Sequence, residues 1–428
     1  MKISIPELYN KFLQCTGVST DTRKISEGVL FVALRGEKFD ANTFAHEALS
    51  KGAKFVVIDN PQFATDERCL LVEDSLKALQ LLANQHRKTL HIPIIGLGGS
   101  NGKTTTKELV NSVLSQQFET YATRGNLNNH IGVPLTLLEI DESVEIAIIE
   151  MGANHQQELW ELCQIAEPTH GLLTNIGKEH LEGFGGIEGV RKGEGELFDF
   201  LAKTKGFVLY NGTDEVLCEM IAERNLAYTL RYDQNAELVA ETPVIKYRDS
   251  EGNEHTTHLM GKYNFDNIRA ALALGKLFGV SESQAHAGVC SYEPTNNRSQ
   301  LIQKESNTIL MDAYNANPSS MEEALRMFDR WEADKKVVIL GDMFELGNEA
   351  VAEHETLGNV IAQCQFDYVL LVGELMQHAL KYLPQAYYFP DKFGLHVWLQ
   401  DHPMTHTHFL VKGSRGMSLE SVLKVIGG

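Results

Sequence analysis

The chain has 428 residues, 43% of them hydrophobic and 22% charged, and a formal net charge of −19. That length suggests about three domains, each able to bury a core. The acidic balance, without any dense Lys/Arg run, argues against nucleic acid as a partner, and no stretch approaches the roughly 18 uninterrupted apolar residues of a membrane helix. Small anions held by local sites are the ligands this leaves. Pro6 and Glu7 stand where a secretory signal would carry its apolar stretch. Cys15, Cys69, Cys163, Cys218, Cys290 and Cys364 form no Cys-x-x-Cys pair. Both features suit reduced thiols in a cytoplasm.

Up to about residue 88 the pattern reads as a small α/β unit. GVLFVAL (28–34) and KFVVID (54–59) read as strands, residues 44–51 as a short helix between them, and 76–86 as a closing helix. HRKTLHIP (86–93) is a polar connector, which puts the first boundary near 90.

IPIIGLGGSNGKTTT (92–106) follows. Ile92, Ile94 and Ile95 read as a buried strand, the glycines as a tight turn, and residues 105–114 as a helix with Leu109, Val110, Val113 and Leu114 at helical spacing. Strand, glycine loop, Lys-Thr and helix together form a phosphate cradle built from Gly99, Ser100, Asn101, Gly102, Lys103, Thr104 and Thr105. Backbone N–H groups and the helix start face the anion, Lys103 reaches the terminal phosphates, and a hydroxyl is placed for Mg²⁺. The strict pattern wants glycine five positions before Gly102, where Leu97 stands. The loop alone leaves kinase, transporter, switch and ligase open.

EIAIIEMG (145–152), GLLTNIG (171–177) and GFVLYNG (206–212) read as further strands alternating with helices. A mostly parallel sheet is expected, with ligands gathered outside its carboxyl ends. Glu150 ends one strand, where a nucleotide-bound Mg²⁺ would find an oxygen ligand. His180, in NIGKEHLEGFGG, and Lys192, in VRKGEGELF, would each by itself be an ordinary histidine and a solvated lysine. Asn264 and Asn267 open an alanine-rich helix as caps or, with Gly261, as readers of a base edge.

From about 300 the alternation restarts with TILMDAYNANP (308–318), KKVVILGDM (335–343), YVLLVG (368–373) and HFLVKGSRG (408–416), which reads as a second doubly wound domain. Asp312, Asn315 and Asn317 follow a strand, in what is otherwise a turn before a helix with Pro318 at its first position. Lys412 and Arg415 sit at another strand end, where cations could face a phosphate or carboxylate. His255, His258, His402, His406 and His408 read as residues of polar loops, not as metal ligands.

Taken together, these segments resemble the Mur ligases of bacterial peptidoglycan synthesis. The resemblance is carried, in order, by STDTRKISEGVLFVALRGEKFDAN, GGSNGKTTTKE, NLNNHIGVPLTLL, IIEMGANHQQEL, TNIGKEHLEGFGG, RKGEGELF, GKYNFDNIRAALAL, DAYNANPSSMEEAL, LGDMFELG and VKGSRGMSLE. It implies an α/β chain of three domains: a small N-terminal α/β domain (1–90) for the UDP end of a substrate, a central P-loop ATPase with a mostly parallel sheet (91–298), and a Rossmann-like C-terminal domain (299–428) that closes over the site. It implies a cytoplasmic, monomeric, ATP-dependent ligase that uses two Mg²⁺ ions and an acyl phosphate. The implied substrates are UDP-N-acetylmuramoyl-tripeptide and D-alanyl-D-alanine. YNANPSSM, GANHQ and GDMFELG point to the dipeptide, whereas the Asp-Asn-Pro-Arg of diaminopimelate- or lysine-adding members has only DNPQ (59–62) as a counterpart, in the wrong domain.

Carried over residue by residue, the resemblance implies that Lys103, Lys192 and His180 are catalytic. Thr104, Glu150 and His180 would bind metal. Lys192 would be carboxylated by CO₂ to a carbamate near the second Mg²⁺, so that Lys192→Ala should lose ligation and regain part of it with acetate. Asn267 would contact adenine, and Arg298, Asp312, Asn315 and Asn317 would reach the nucleotide from the C-terminal side. Ser19, Asp21, Thr22 and Arg23 would form the uridine-side loop with Phe31 and Arg35. Four features depart from the family pattern: Tyr263 stands for the usual His, Met311 for an aspartate, Gly98 and Ser100 for threonines, and Arg298 lacks a preceding glycine. Two rivals remain. A folylpolyglutamate-type ligase would lack the uridine-side domain, and a regulatory P-loop NTPase would hydrolyse nucleotide without an amine acceptor.

Overall fold

Pro6 and Glu7 belong to the start of a helix. Ser4 caps Ile5–Phe12 in the computed structural model, and the Glu7 carboxylate accepts the Ser4 N–H at 3.0 Å, a capping box with proline in the first turn. The structure describes residues 2–295 and 297–427. The first sheet takes the strands Val18–Ser19, Leu30–Val32, Phe55–Ile58 and Cys69–Leu71 in that spatial order, all parallel. The expected strands and the helices Ala45–Ser50 and Ser75–Arg87 are present. The outer strands are only two and three residues long, too short for a periodic signal.

The second sheet is six parallel strands in the spatial order Tyr228–Arg231, Phe207–Tyr210, His170–Leu173, Ile94–Gly98, Ile146–Glu150 and Thr120–Ala122. The strand entering the glycine loop is therefore central, and its residues are fully buried because helices cover both faces. An antiparallel sheet of Glu237–Ala240, Lys246–Arg248 and Glu254–Thr256, unforeseen from the sequence, follows it. The third sheet runs Gln300–Lys304, Asn307–Asp312, His408–Lys412, Lys336–Gly341, Tyr368–Val372 and Tyr387–Phe389, parallel except for its antiparallel first strand. All six cysteines are free. No helix among the described residues is long and apolar enough to cross a membrane.

The first sheet's closing helix is fastened to the central unit through Arg87, which is 7% exposed. Its guanidinium donates to Ala166 O at 2.8 Å, Glu167 O at 3.0 Å and Leu90 O at 2.8 Å. The first two bonds satisfy carbonyls at the end of the helix Glu158–Ala166. Asn84 adds bonds to Gln164 O and Ile165 O at 3.0 and 3.1 Å. Arg87→Ala strands those carbonyls and is expected to cost about 1–3 kcal/mol. The check is a lowered unfolding midpoint together with faster proteolysis between residues 87 and 93.

Candidate active site

Three carboxyl ends of the central sheet meet at the glycine loop. Register sets Glu150 beside Leu97 and Leu173 beside Gly98, so Glu150, the loop and the segment after Leu173 share one edge. Gly99 lies at φ +107, and a Cβ there would come within 2.4 Å of Thr174 Oγ1 and 2.6 Å of its backbone nitrogen. Only glycine fits that approach. Gly102, at φ +81, starts the helix Lys103–Leu114 with no side chain capping it. The N–H groups of its first turn are left for an anion.

The loop is held from outside. Asn175 accepts the Asn101 N–H at 3.1 Å and donates to Asn101 O at 3.0 Å. Ser100 Oγ accepts the Gly177 N–H at 2.8 Å, and Asn101 Oδ1 accepts from Asn317 Nδ2 at 2.8 Å. The side chains of Ser100 and Asn101 thus bind the scaffold, a correction to their expected role, and their backbone N–H groups are taken by Asn175, Ser100 N–H by its carbonyl at 2.9 Å and Asn101 N–H by its side chain. Asn175 was absent from the expected set because its partner lies 74 residues away.

A cavity of about 430 Å³ opens between the loop and the C-terminal domain. Gly102, Lys103, Thr104, Thr105, Glu150 and His180 line one side, and Arg298, Asp312, Tyr314, Asn315 and Arg415 the other. The Arg298 guanidinium lies 3.8 Å above the Tyr314 ring, a stack the sequence did not reveal. Asp312 accepts the Ser299 N–H at 3.1 Å and pairs with Lys412, its neighbour across the sheet. That pairing consumes the Lys412 amine, which is 2% exposed. A second cavity of about 510 Å³ adjoins the first through Tyr263 and is lined by Asn175, Asn211, Lys262 and Asn267.

Charge is unbalanced at the loop. Glu150, Glu179 and Glu194 are 1%, 2% and 0% exposed, and all three act on Lys103. Burial opposes the charge on Lys103, yet the three carboxylates outweigh it and hold the amine above its ordinary pKa. Burial pushes the Glu194 carboxyl up, and Lys103 offsets only part of this. One oxygen of each carboxylate has a partner: Glu150 accepts from Asn128 at 2.8 Å, Glu179 from Lys103 at 3.4 Å, and Glu194 from the Gly99 N–H at 2.6 Å. The other three oxygens have none. Buried acceptors without donors beside excess negative charge fit divalent cations.

His180 completes the set. Its Nε2 lies 4.0 Å from Glu179, and its Nδ1 is held by Glu345 of the C-terminal domain. A carboxylate behind a histidine fixes the ring for metal ligation. Burial alone would lower the His180 pKa, but Glu345 and Glu179 raise it.

Asp249, His255 and His286 form a second group able to hold a cation, away from this cavity, with ligand atoms within 4.8 Å of one another. His255 stacks on His286 at 4.1 Å, so it is not the free polar-loop residue expected. Asp249 is already engaged by the N–H groups of Glu251 and Asn253, both at 2.9 Å, and by His255 at 2.8 Å.

Known proteins resemble the chain over nearly its whole length. Residues 14–87, 97–275 and 297–415 match the family models "Mur ligase family, catalytic domain", "Mur ligase middle domain" and "Mur ligase, glutamate ligase domain". The chain is 35% identical over 422 residues to a UDP-N-acetylmuramoyl-tripeptide–D-alanyl-D-alanine ligase of Bacillus subtilis (strain 168), covering 95% of this chain and 92% of that one. The chain belongs to the Mur ligase family. This Mur ligase is also 34% identical to the enzyme of the same name from Escherichia coli (strain K12), covering 98% and 95%. It superposes on a MurF from Acinetobacter baumannii with a TM-score of 0.87 at 29% identity, covering 99% and 98%. The three-domain fold expected from the sequence is thereby shown.

Two further expected site residues of this Mur ligase are placed elsewhere. Lys192 is exposed on the helix Ile187–Thr204 and does not line the cavity. Two helical residues turn the direction by about 200°, so Glu194 points inward where Lys192 points out. Phe31 is 0% exposed in the core with Val29, Ala33 and Ala48, and so supports its sheet without touching a ligand. Ser19 ends the first strand, and Asp21, Thr22 and Arg23 follow it, with Arg23 paired to Asp21 at 2.8 Å. Arg35 pairs with Asp59 at 2.6 Å. Asn42, buried at 0%, braces that edge through Asp40 and Asp59 at 2.7 and 2.8 Å and was not foreseen.

Proposed function

We propose that this Mur ligase joins D-alanyl-D-alanine to the terminal carboxylate of UDP-N-acetylmuramoyl-tripeptide at the expense of ATP, as a cytoplasmic monomer with domains 1–90, 91–298 and 299–428. The observation that carries the reading is the cavity in which an uncapped glycine-loop helix, Lys103 and the buried carboxylates of Glu150 and Glu179 face residues of the C-terminal domain. Full-length similarity to enzymes named for this substrate pair supports the choice of substrates.

The chemistry follows from the groups present. A carboxylate is a poor acyl donor because its leaving group would be oxide. Transfer of the γ-phosphoryl group to a carboxylate oxygen gives an acyl phosphate, and ADP leaves. The dipeptide amine then attacks the acyl carbon, the C–O bond to phosphate breaks, and the amine proton is lost. Lys103 and the N–H groups of Lys103, Thr104 and Thr105 hold the phosphates in line, which for phosphoryl transfer is most of the catalysis. The nucleoside would extend into the adjoining cavity past Tyr263 towards Asn267. Thr104, Glu150, Glu179 and His180 would hold Mg²⁺, which when bound offsets phosphate charge during transfer. Tyr314 and Arg298 cover the cavity from the C-terminal side and exclude water from a hydrolysable intermediate.

Tripeptide substrate carrying ¹⁸O in its terminal carboxylate is expected to yield pentapeptide, with one ¹⁸O in the inorganic phosphate. Phosphate without the label rules out the acyl phosphate. Phosphate released without the dipeptide would favour a nucleotide-hydrolysing switch.

A further inference from the structure

The position expected to carry a carbamate is solvated, and a different anion occupies the interior. Glu194 has no exposed surface. Its Oε2 accepts the Gly99 N–H at 2.6 Å, and its Oε1 is buried without a partner. Gly98 makes the room, since a Cβ there would lie 2.9 Å from Glu194 Oε2. Glu179 beside it also holds one oxygen without a partner, as does Glu150. Against these three carboxylates stand Lys103 and, 3.9 Å from Glu150, Lys107, whose amine also serves Thr123 O and Glu108. Buried unpaired charge is costly enough that the excess calls for a cation.

We propose that Glu194, together with Glu179, is a permanent carboxylate component of the divalent-cation site, so that this chain needs no carbamate and no CO₂. The proposal rests on the ATP-dependent reading above. It differs from a purely structural role for Glu194, in which the side chain only holds the Gly99 N–H. A glutamine can make that same bond through its amide oxygen but carries no charge, so Glu194→Gln separates the two roles.

The test uses the full chain and two binding readouts that need neither peptide substrate, with ligation in CO₂-depleted buffer as a third. In calorimetric titration with Mn²⁺ alone, Glu194→Gln is expected to bind at least ~10-fold more weakly than the parent chain, while Lys192→Ala binds as the parent does. In ¹³C-bicarbonate, NMR of the parent chain is expected to show no protein carbamate resonance, and ligation is expected to run at the same rate in CO₂-depleted buffer. Unchanged Mn²⁺ affinity in Glu194→Gln, or a carbamate resonance that disappears in Lys192→Ala, overturns the proposal. Absence of pentapeptide with both binding results intact would instead overturn the reaction assignment and leave the cation site standing.

Discussion

Lys103→Ala is expected to lower kcat at least ~10³-fold, with little change in the KM for the UDP-linked substrate. Lys103 is the cation on the glycine loop itself, and the two other buried lysines nearby cannot replace it. Lys107 is fully buried and engaged by Thr123 O and Glu108, while Lys412 is bound to Asp312. A second signature follows from the charge balance. Without Lys103, Glu179 and Glu194 lose the cation beside them and Glu150 keeps only Lys107 at 3.9 Å, so the variant should melt below the parent chain in chelator, and Mg²⁺ should narrow that gap. Scanning calorimetry with and without Mg²⁺ reads this directly. Activity within ~10-fold of the parent would mean that the loop does not serve phosphoryl transfer.

Glu345→Gln is expected to reduce kcat by ~10- to 100-fold, a loss partly recovered at higher Mg²⁺. Glu345 is 61% exposed and contributes little to the core, but it holds His180 Nδ1 across the domain boundary. A glutamine still accepts a hydrogen bond but cannot support the imidazole electrostatically. Stability should hardly change, since an exposed pair contributes at most ~1 kcal/mol. Small-angle scattering of the free protein should show a larger radius for the variant. An unaltered Mg²⁺ dependence would leave His180 without the orienting partner inferred for it.

The glycine loop was legible because its demands are local: positive φ at Gly99 and Gly102, an uncapped helix start and a lysine in reach all lie within seven consecutive residues, 99–105. Glu150 was legible for the same reason, as the polar end of an apolar strand. Glu194 was missed although a signal existed. Val190, Glu194, Leu197 and Leu201 share a helical face and are all buried, whereas Lys192 falls outside that stripe. Motif resemblance favoured the lysine, and helical phase would have favoured the glutamate. Asn128, Asn175 and Glu345 gave no local cue, because each acts on a residue 22, 74 or 165 positions away in the chain. In the N-terminal domain the alternation that marked Phe31 as part of a strand could not say which face it took. The short edge strands and the antiparallel insert were lost for a related reason: two to four residues carry too little periodicity to be told from loop.

The two domain seams are made of unlike material. On one side Arg87 is buried among carbonyls, beyond the reach of dissolved ions. On the other, Lys178–Glu353 and Arg330–Glu241 sit with their cations about half exposed, at 48% and 54%. Physiological ionic strength weakens the second seam and spares the first. As salt rises, the boundary with the C-terminal domain is therefore the first to loosen, while the one fastened by Arg87 holds.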